Sequence, residues 1–279
     1  MLRCMRRIVQ QFCAIHPPWP QPPQHDDFVN ADPLFWLLAA LAVTSLGFSK
    51  GGFAGAGQIA TPLMSLFMPP LQASALLLPI QIVQDLLSMW IFRRTWDGWN
   101  LKVMLPGALI GIGIAWALAS HVSDAFIRFS VGSIAILFVM YAWFGHAVAP
   151  KKRPGAVAGA FWGGLAAFTS TIAQAGGPPF QMFVLRQNLE KMTYVGTFVM
   201  FFAVVNALKV IPYFALGQFS KENFLTTLML LPVATASNYL GVWLVKRTPT
   251  ILFYRIAHVL VFLISLELVR AGLMGMVGK

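Results

Sequence analysis

Gly51-Gly52-Phe53-Ala54-Gly55-Ala56-Gly57-Gln58, closing at Thr61-Pro62, interrupts an otherwise apolar segment that runs from residue 33 to residue 69. A second interruption, Thr169-Ser170-Thr171-Ile172-Ala173-Gln174-Ala175-Gly176-Gly177-Pro178-Pro179, sits inside 155–187, about 119 residues further on. Glycine and proline do not continue a helix cheaply, so each segment reads as an apolar leg of some 15 residues, a break, and a shorter leg. Six uninterrupted apolar runs surround the breaks, at about 71–92, 101–119, 125–146, 193–213, 224–245 and 251–272. Each is long enough to cross roughly 30 Å of hydrocarbon as a helix. The fold expected is an all-α integral membrane protein of about eight membrane segments.

Composition agrees. The 279 residues are 58% hydrophobic and 10% charged, whereas soluble domains hold about 45–50% and about 25%. A net charge of +11 in a soluble protein would point to nucleic acid, but here the cations lie mainly between apolar runs, where they orient a membrane chain. With no phosphate-binding loop and no basic stripe interleaved with aromatics, nucleic-acid binding is not expected. Cys4 and Cys13 do not make a disulfide framework, and the five histidines lack the spacing of a metal or haem site, so no cofactor and no metal are expected. Residues 1–32, crowded with Pro17, Pro18, Pro20, Pro22 and Pro23, read as a disordered tail; Gln10 and Gln11 break its only apolar stretch, against a signal peptide.

The interruptions belong to a longer correspondence. Each is followed by a long span, a short connection with glycine (Asp97-Gly98, Leu216-Gly217), a Leu-Pro pair inside the next span (Leu105-Pro106, Leu231-Pro232), and a last span opening Phe126-Ile127-Arg128 or Phe253-Tyr254-Arg255. This pattern divides the membrane part into two repeats, 33–147 and 148–279. If each broken segment returns to its own side, Arg93-Arg94, Lys102, Lys151-Lys152-Arg153, Arg186, Lys191, Lys246-Arg247 and Arg255 collect on one side, leaving Arg128, Lys221, Arg270 and Lys279 on the other; if the segments cross fully, the bias shrinks to nine against six. The positive-inside rule then favours inverted halves with both termini periplasmic, although Arg3, Arg6 and Arg7 in the tail pull the other way. Inverted repeats with broken helices are a recurrent transporter design. The sequence leaves the oligomeric state open.

Unwound backbone at membrane depth must be buried in protein or face a watery cavity, so the two breaks mark a candidate site. Free backbone N–H groups and positive half-helix ends there suit a small anionic substrate. The alternative is that Gly51 and Gly52, like Gly176 and Gly177, only let helices approach closely. Lys50 opens the first break and either supplies positive potential or snorkels to the interface. Gln58, Thr61, Pro62, Thr169, Ser170, Thr171, Gln174, Pro178 and Gln181 add neutral donors and turn residues around the breaks. On the spans that follow, Gln81, Asp85 and Ser88 share one helix face, as do Asn206 and Lys209. Asp85 and Lys209 sit at comparable depth and are read as an ion pair; the other reading makes Asp85 a proton carrier. No nucleophile, base and acid can be assembled, so no catalytic residue is named. The tryptophans near segment ends read as interfacial anchors.

Gly-Phe-Ser-Lys-Gly-Gly at 47–52 with Gln58-Ile59-Ala60-Thr61-Pro62-Leu63 resembles the TauE/SafE family of sulfite and organosulfonate exporters. Gln84-Asp85, Trp96-Asp97, Leu105-Pro106-Gly107, Thr169-Ser170-Thr171, Ala175-Gly176-Gly177-Pro178-Pro179, Val195-Gly196-Thr197 and Asn206-Ala207-Leu208-Lys209 look like the same family, over roughly 34–272. The resemblance implies two homologous membrane halves enclosing a substrate path, in the bacterial inner membrane, and transport of sulfite, sulfonates or related anions. It carries over Gly51, Gly52, Gln58, Pro62, Gln174, Gly176, Gly177 and Pro178 as path residues. Similar sequences often have His where this chain has Gln174, which bears on proton coupling or substrate preference. The expectation is an anion transporter working by alternating access. Its rivals are a membrane enzyme or assembly factor handling a sulfur group without net transport, and a cation permease using Asp85.

Overall fold

The computed structural model describes residues 33–53, 56–64, 67, 70–118, 154–174, 176–215 and 221–277, with scattered positions between 119 and 153. The proline-rich tail and most of the span expected at 125–146 lie outside the described residues. Every regular element among those described is helical. In chain order they are α1 (Pro33–Gly51), a 3-10 turn (Ala56–Ile59), α2 (Ala60–Met64), α3 (Pro70–Ile91), α4 (Gly98–Leu118), α5 (Ala156–Ala173), α6 (Gly177–Val184), a second 3-10 turn (Leu185–Gln187), α7 (Lys191–Ala215), α8 (Lys221–Arg247) and α9 (Thr250–Val277). Pro33–Gly51, Ala73–Ile91, Gly98–Leu118, Lys191–Ala215 and Leu225–Arg247 are long and apolar enough to cross a membrane.

One difference from expectation concerns the first broken segment. Its opening leg is a 19-residue helix, longer than the 15 or so residues read from composition. The leg keeps going through Ser49 and Lys50 because both are buried against neighbouring helices, which satisfies them inside the protein. It ends in a helix-stop geometry: the Gly52 N–H bonds the Ser49 carbonyl at 3.1 Å and the Phe53 N–H bonds the Phe48 carbonyl at 3.0 Å. Gly52 has φ 129, which L side chains rarely adopt, so glycine is required there. α5 ends in a related way, with Gln174 left-handed at φ 52 and its N–H on the Ser170 carbonyl.

Helix directions follow from which residues meet. Gly47 lies against Ser237 and Gly51 against Gly241, so α1 and α8 run the same way. α3 runs with them, since Gln84 bonds the carbonyls of Val43 and Ala234 while Ser88 bonds the Lys50 carbonyl and Asn238. Because α1 and α3 run the same way, the chain between residues 52 and 69 must travel back to the side where α1 began. α4 and α5 form another same-direction pair, with Gly107 against Ala160 and Gly111 against Gly164. α3 and α7 run oppositely: Asp85 meets Asn206, and Thr95, just past α3, lies against Gly196 near the start of α7. Accordingly, the Lys191 ammonium at the start of α7 bonds the carbonyls of Val245 and Thr248 at the end of α8.

Small residues make these contacts close. In a membrane, association depends on packing and hydrogen bonds rather than on expelling water, and glycine lets backbones touch. A Cβ on Gly51 would fall 2.6 Å from Gly241 Cα. The largest apolar core gathers Phe180, Tyr194, Phe198, Phe201 and Phe202 between α6 and α7, with ring centroids 4.7–6.2 Å apart. This aromatic block closes one wall of the space between the two breaks.

Candidate functional site

A small cavity, about 40 Å³, lies where the two breaks approach each other. α1 contributes Leu46, Ser49 and Lys50, the first 3-10 turn Gly57, and α3 Gln81. From the second half come Ser170 on α5, Gln174 at its left-handed end, Gly176 and Gly177 at the start of α6, and Phe198, Phe202 and Asn206 on α7. At 10–15 Å³ of centre volume per water, it has room for roughly three water molecules or one small ion.

A chain of polar contacts runs along its wall. The Lys50 ammonium sits 2.6 Å from Asp85 Oδ1, both side chains being buried, and 5.9 Å above the Phe202 ring. Asn206 Nδ2 donates to Asp85 Oδ2 at 2.7 Å. On its other side, Asn206 Oδ1 accepts from Lys209 Nζ at 3.1 Å. Lys209 also donates to Ser170 Oγ at 2.7 Å and to Gln174 Oε1 at 3.2 Å. Among the described residues Lys50, Asp85 and Lys209 are the buried charged groups, and all three belong to this chain.

The ion pair expected between Asp85 and Lys209 is therefore corrected. Asp85 pairs directly with Lys50, and the Asn206 carboxamide stands between Asp85 and Lys209. The reason is register: α1 and α3 run side by side, bringing the end of α1 onto Asp85, while α7 crosses α3 at Asn206 and leaves Lys209 three residues further on. Lys50 is 5% exposed, so it stays at depth rather than snorkelling.

The other expected residues divide. Gln174, Gly176 and Gly177 line the cavity. Gly51 packs on Gly241 and Val242 of α8, and Gly52 makes the turn between Val195 and Val245, so both shape the break instead of lining it. Thr171 is engaged locally, its hydroxyl on the Ala167 carbonyl and its carbonyl accepting from Tyr213 at 2.6 Å. Pro178 and Gln181 are buried within α6, and Thr61 is buried in α2. The side chains of Gln58 and Pro62 lie outside the described residues.

Four lining residues are not marked out as site residues by the sequence: Leu46, Ser49, Phe198 and Phe202. The phenylalanines carry no signal in a chain holding 23 of them. Gln81 was read only as part of a helix face with Asp85, yet its Nε2 is buried at the cavity with no hydrogen-bond partner. Gln174 Nε2 is in the same condition. Lys50, Gln81 and Gln174 line the cavity, and the two carboxamide nitrogens are buried in its wall without acceptors, so the wall is rich in donors.

The family model described as Sulfite exporter TauE/SafE matches residues 38–268. The chain belongs to this family. The match takes in both breaks, the whole polar chain and every cavity-lining residue. TauE/SafE membership and the five spans make the chain a multi-pass membrane protein of a transporter family. No curated protein and no solved structure matches the chain.

Proposed function

We propose that this TauE/SafE member carries small sulfur-containing oxyanions, of the sulfite and sulfonate class, across a membrane by alternating access, with the cavity between the breaks as the binding site. The observation that carries the reading is the cavity's polarity. Two buried lysines stand against one aspartate, and the Nε2 groups of Gln81 and Gln174 wait without acceptors. An oxyanion supplies what both lack, negative charge and lone pairs. A cation permease would need the opposite balance.

Alternating access is supported by the helix directions. α1 and α3 run opposite to α5 and α7, their counterparts in the repeat pattern, and the pairs α1 with α8 and α5 with α4 exchange under the same correspondence. We take this as an inverted repeat whose halves rock about the α3–α7 crossing, where Asp85 meets Asn206. Binding is weak in such a carrier, because tight binding delays release.

The test is flux in liposomes reconstituted with the purified protein, over sulfite, thiosulfate, small sulfonates, phosphate and small carboxylates. Saturable counterflow of an unmodified, labelled sulfur oxyanion is expected. Absence of flux for every anion from folded protein refutes the carrier, and a covalently altered substrate would identify a membrane enzyme instead.

A further inference from the structure

The carrier reading leaves open how many charges the anion bears, and the buried charges address this; the inference rests on that reading. Lys209 Nζ has three hydrogen-bond acceptors, Ser170 Oγ, Gln174 Oε1 and Asn206 Oδ1, which is the number an ammonium requires. Asn206 is oriented to match, its N–H₂ toward the Asp85 carboxylate and its oxygen toward Lys209. Lys50 and Asp85 form an ion pair at 2.6 Å. The network thus holds two positive charges and one negative, an excess of one.

A buried excess charge is stabilised by whatever neutralises it. A monoanion brings the cavity to neutrality. A dianion of the same shape overshoots to an excess negative charge, and its desolvation cost grows with the square of its charge. We propose that Asp85 sets the valence of the transported anion: by cancelling one of the two buried lysines it makes the cavity a site for monoanions and disfavours dianions of equal size. A purely architectural Lys50–Asp85 pair would hold α1 against α3 without affecting that choice.

The probes are methanesulfonate and sulfate, which share a tetrahedral sulfur and differ by one charge at pH 7. Binding of each is measured by calorimetry on purified full-length protein, and tracer flux in vesicles. Wild type is expected to favour methanesulfonate by at least tenfold, a floor well under the roughly thousandfold that one unit charge about 4 Å away at an effective dielectric of about 20 would give before desolvation. Asp85→Asn, close in size and able to meet Asn206, is expected to shift the ratio toward sulfate by a similar factor. Asp85→Asn combined with Lys209→Gln returns the excess to one charge and should restore the wild-type ratio.

A wild-type preference for sulfate, or a folded Asp85→Asn protein with an unchanged ratio, overturns the proposal. If Asp85→Asn does not fold, Lys209→Gln alone decides: the proposal expects methanesulfonate affinity to fall about tenfold, and unchanged affinity overturns it. Binding with the expected ratios but no flux refutes the carrier and keeps the valence rule. Flux with charge-independent ratios does the reverse, and folded protein that binds neither probe overturns the valence rule while the flux panel decides the carrier.

Discussion

Gln174 is a glutamine held where glycine is at ease, at φ 52, and the strain is of the order of 1–2 kcal/mol for an L side chain. What the conformation achieves is an aim: Oε1 reaches Lys209, and Nε2 is left buried at the cavity. Gln174→Gly and Gln174→Ala both remove the carboxamide, but only glycine also relieves the backbone. Both are expected to lose anion affinity by about tenfold, while the glycine variant melts above the alanine variant by an amount worth about 1 kcal/mol, read by thermal unfolding in detergent. Equal melting points would show that the backbone there is unstrained. Lys50 calls for a different control. Lys50→Ala strands a buried carboxylate, which costs about 3–5 kcal/mol in buried pairs, so lost transport in that variant says little about substrate contact. Lys50→Ala with Asp85→Ala is expected to recover much of the lost thermal stability. At this scale the sequence exposes the polar residues, because a charge inside an apolar run stands out. It conceals their pairing, because the partners of Asp85 come from α1 and α7, 35 and 121 positions away, and their meeting depends on register.

The breaks themselves were legible from glycine and proline content; which glycines serve a site and which serve packing was not. Gly51 and Gly176 look alike in sequence and both are tightly packed, yet Gly51 lies on the backbone of α8 while Gly176, against the Ala166 carbonyl, also lines the cavity. The difference lies in what a neighbouring helix places opposite, and composition contains no record of it. The packing role has a direct check. Gly51→Ala puts a Cβ 2.6 Å from Gly241 Cα, a backbone atom that cannot swing aside, whereas a Cβ on Gly113 of α4 has nothing within 4 Å. Gly51→Ala is therefore expected to lower the melting temperature by several degrees, as about 1–3 kcal/mol of overpacking would, with Gly113→Ala unchanged. If both variants melt like wild type, α1 and α8 are not held by that contact.

Across the whole molecule, a recurring order of motifs and a charge bias were readable in the sequence, but the bias alone could not fix the path of the broken segments, since it depends on where each crosses. Contacts supply directions. α3 and α7 run oppositely, so the chain leaves α3 on one side, near Gly98, and leaves α7 on the other, at Ala215. α5 runs with α4, so it starts, at Ala156, on the Gly98 side. Arg93, Arg94, Lys191, Lys246 and Arg247 gather there too, the last two because α8 runs with α3. The positive-inside rule predicts that a side so rich in cations faces the cytoplasm. In a background lacking Cys4 and Cys13, single cysteines at positions 98 and 151 are therefore expected to react with impermeant thiol reagents only after the cytoplasmic face is opened. A cysteine at 217 should react in intact cells. Labelling of all three from one side would contradict opposed α3 and α7, and with them the rocking of two halves; labelling at 217 alone from the cytoplasm would keep the inversion and reverse the assignment of sides.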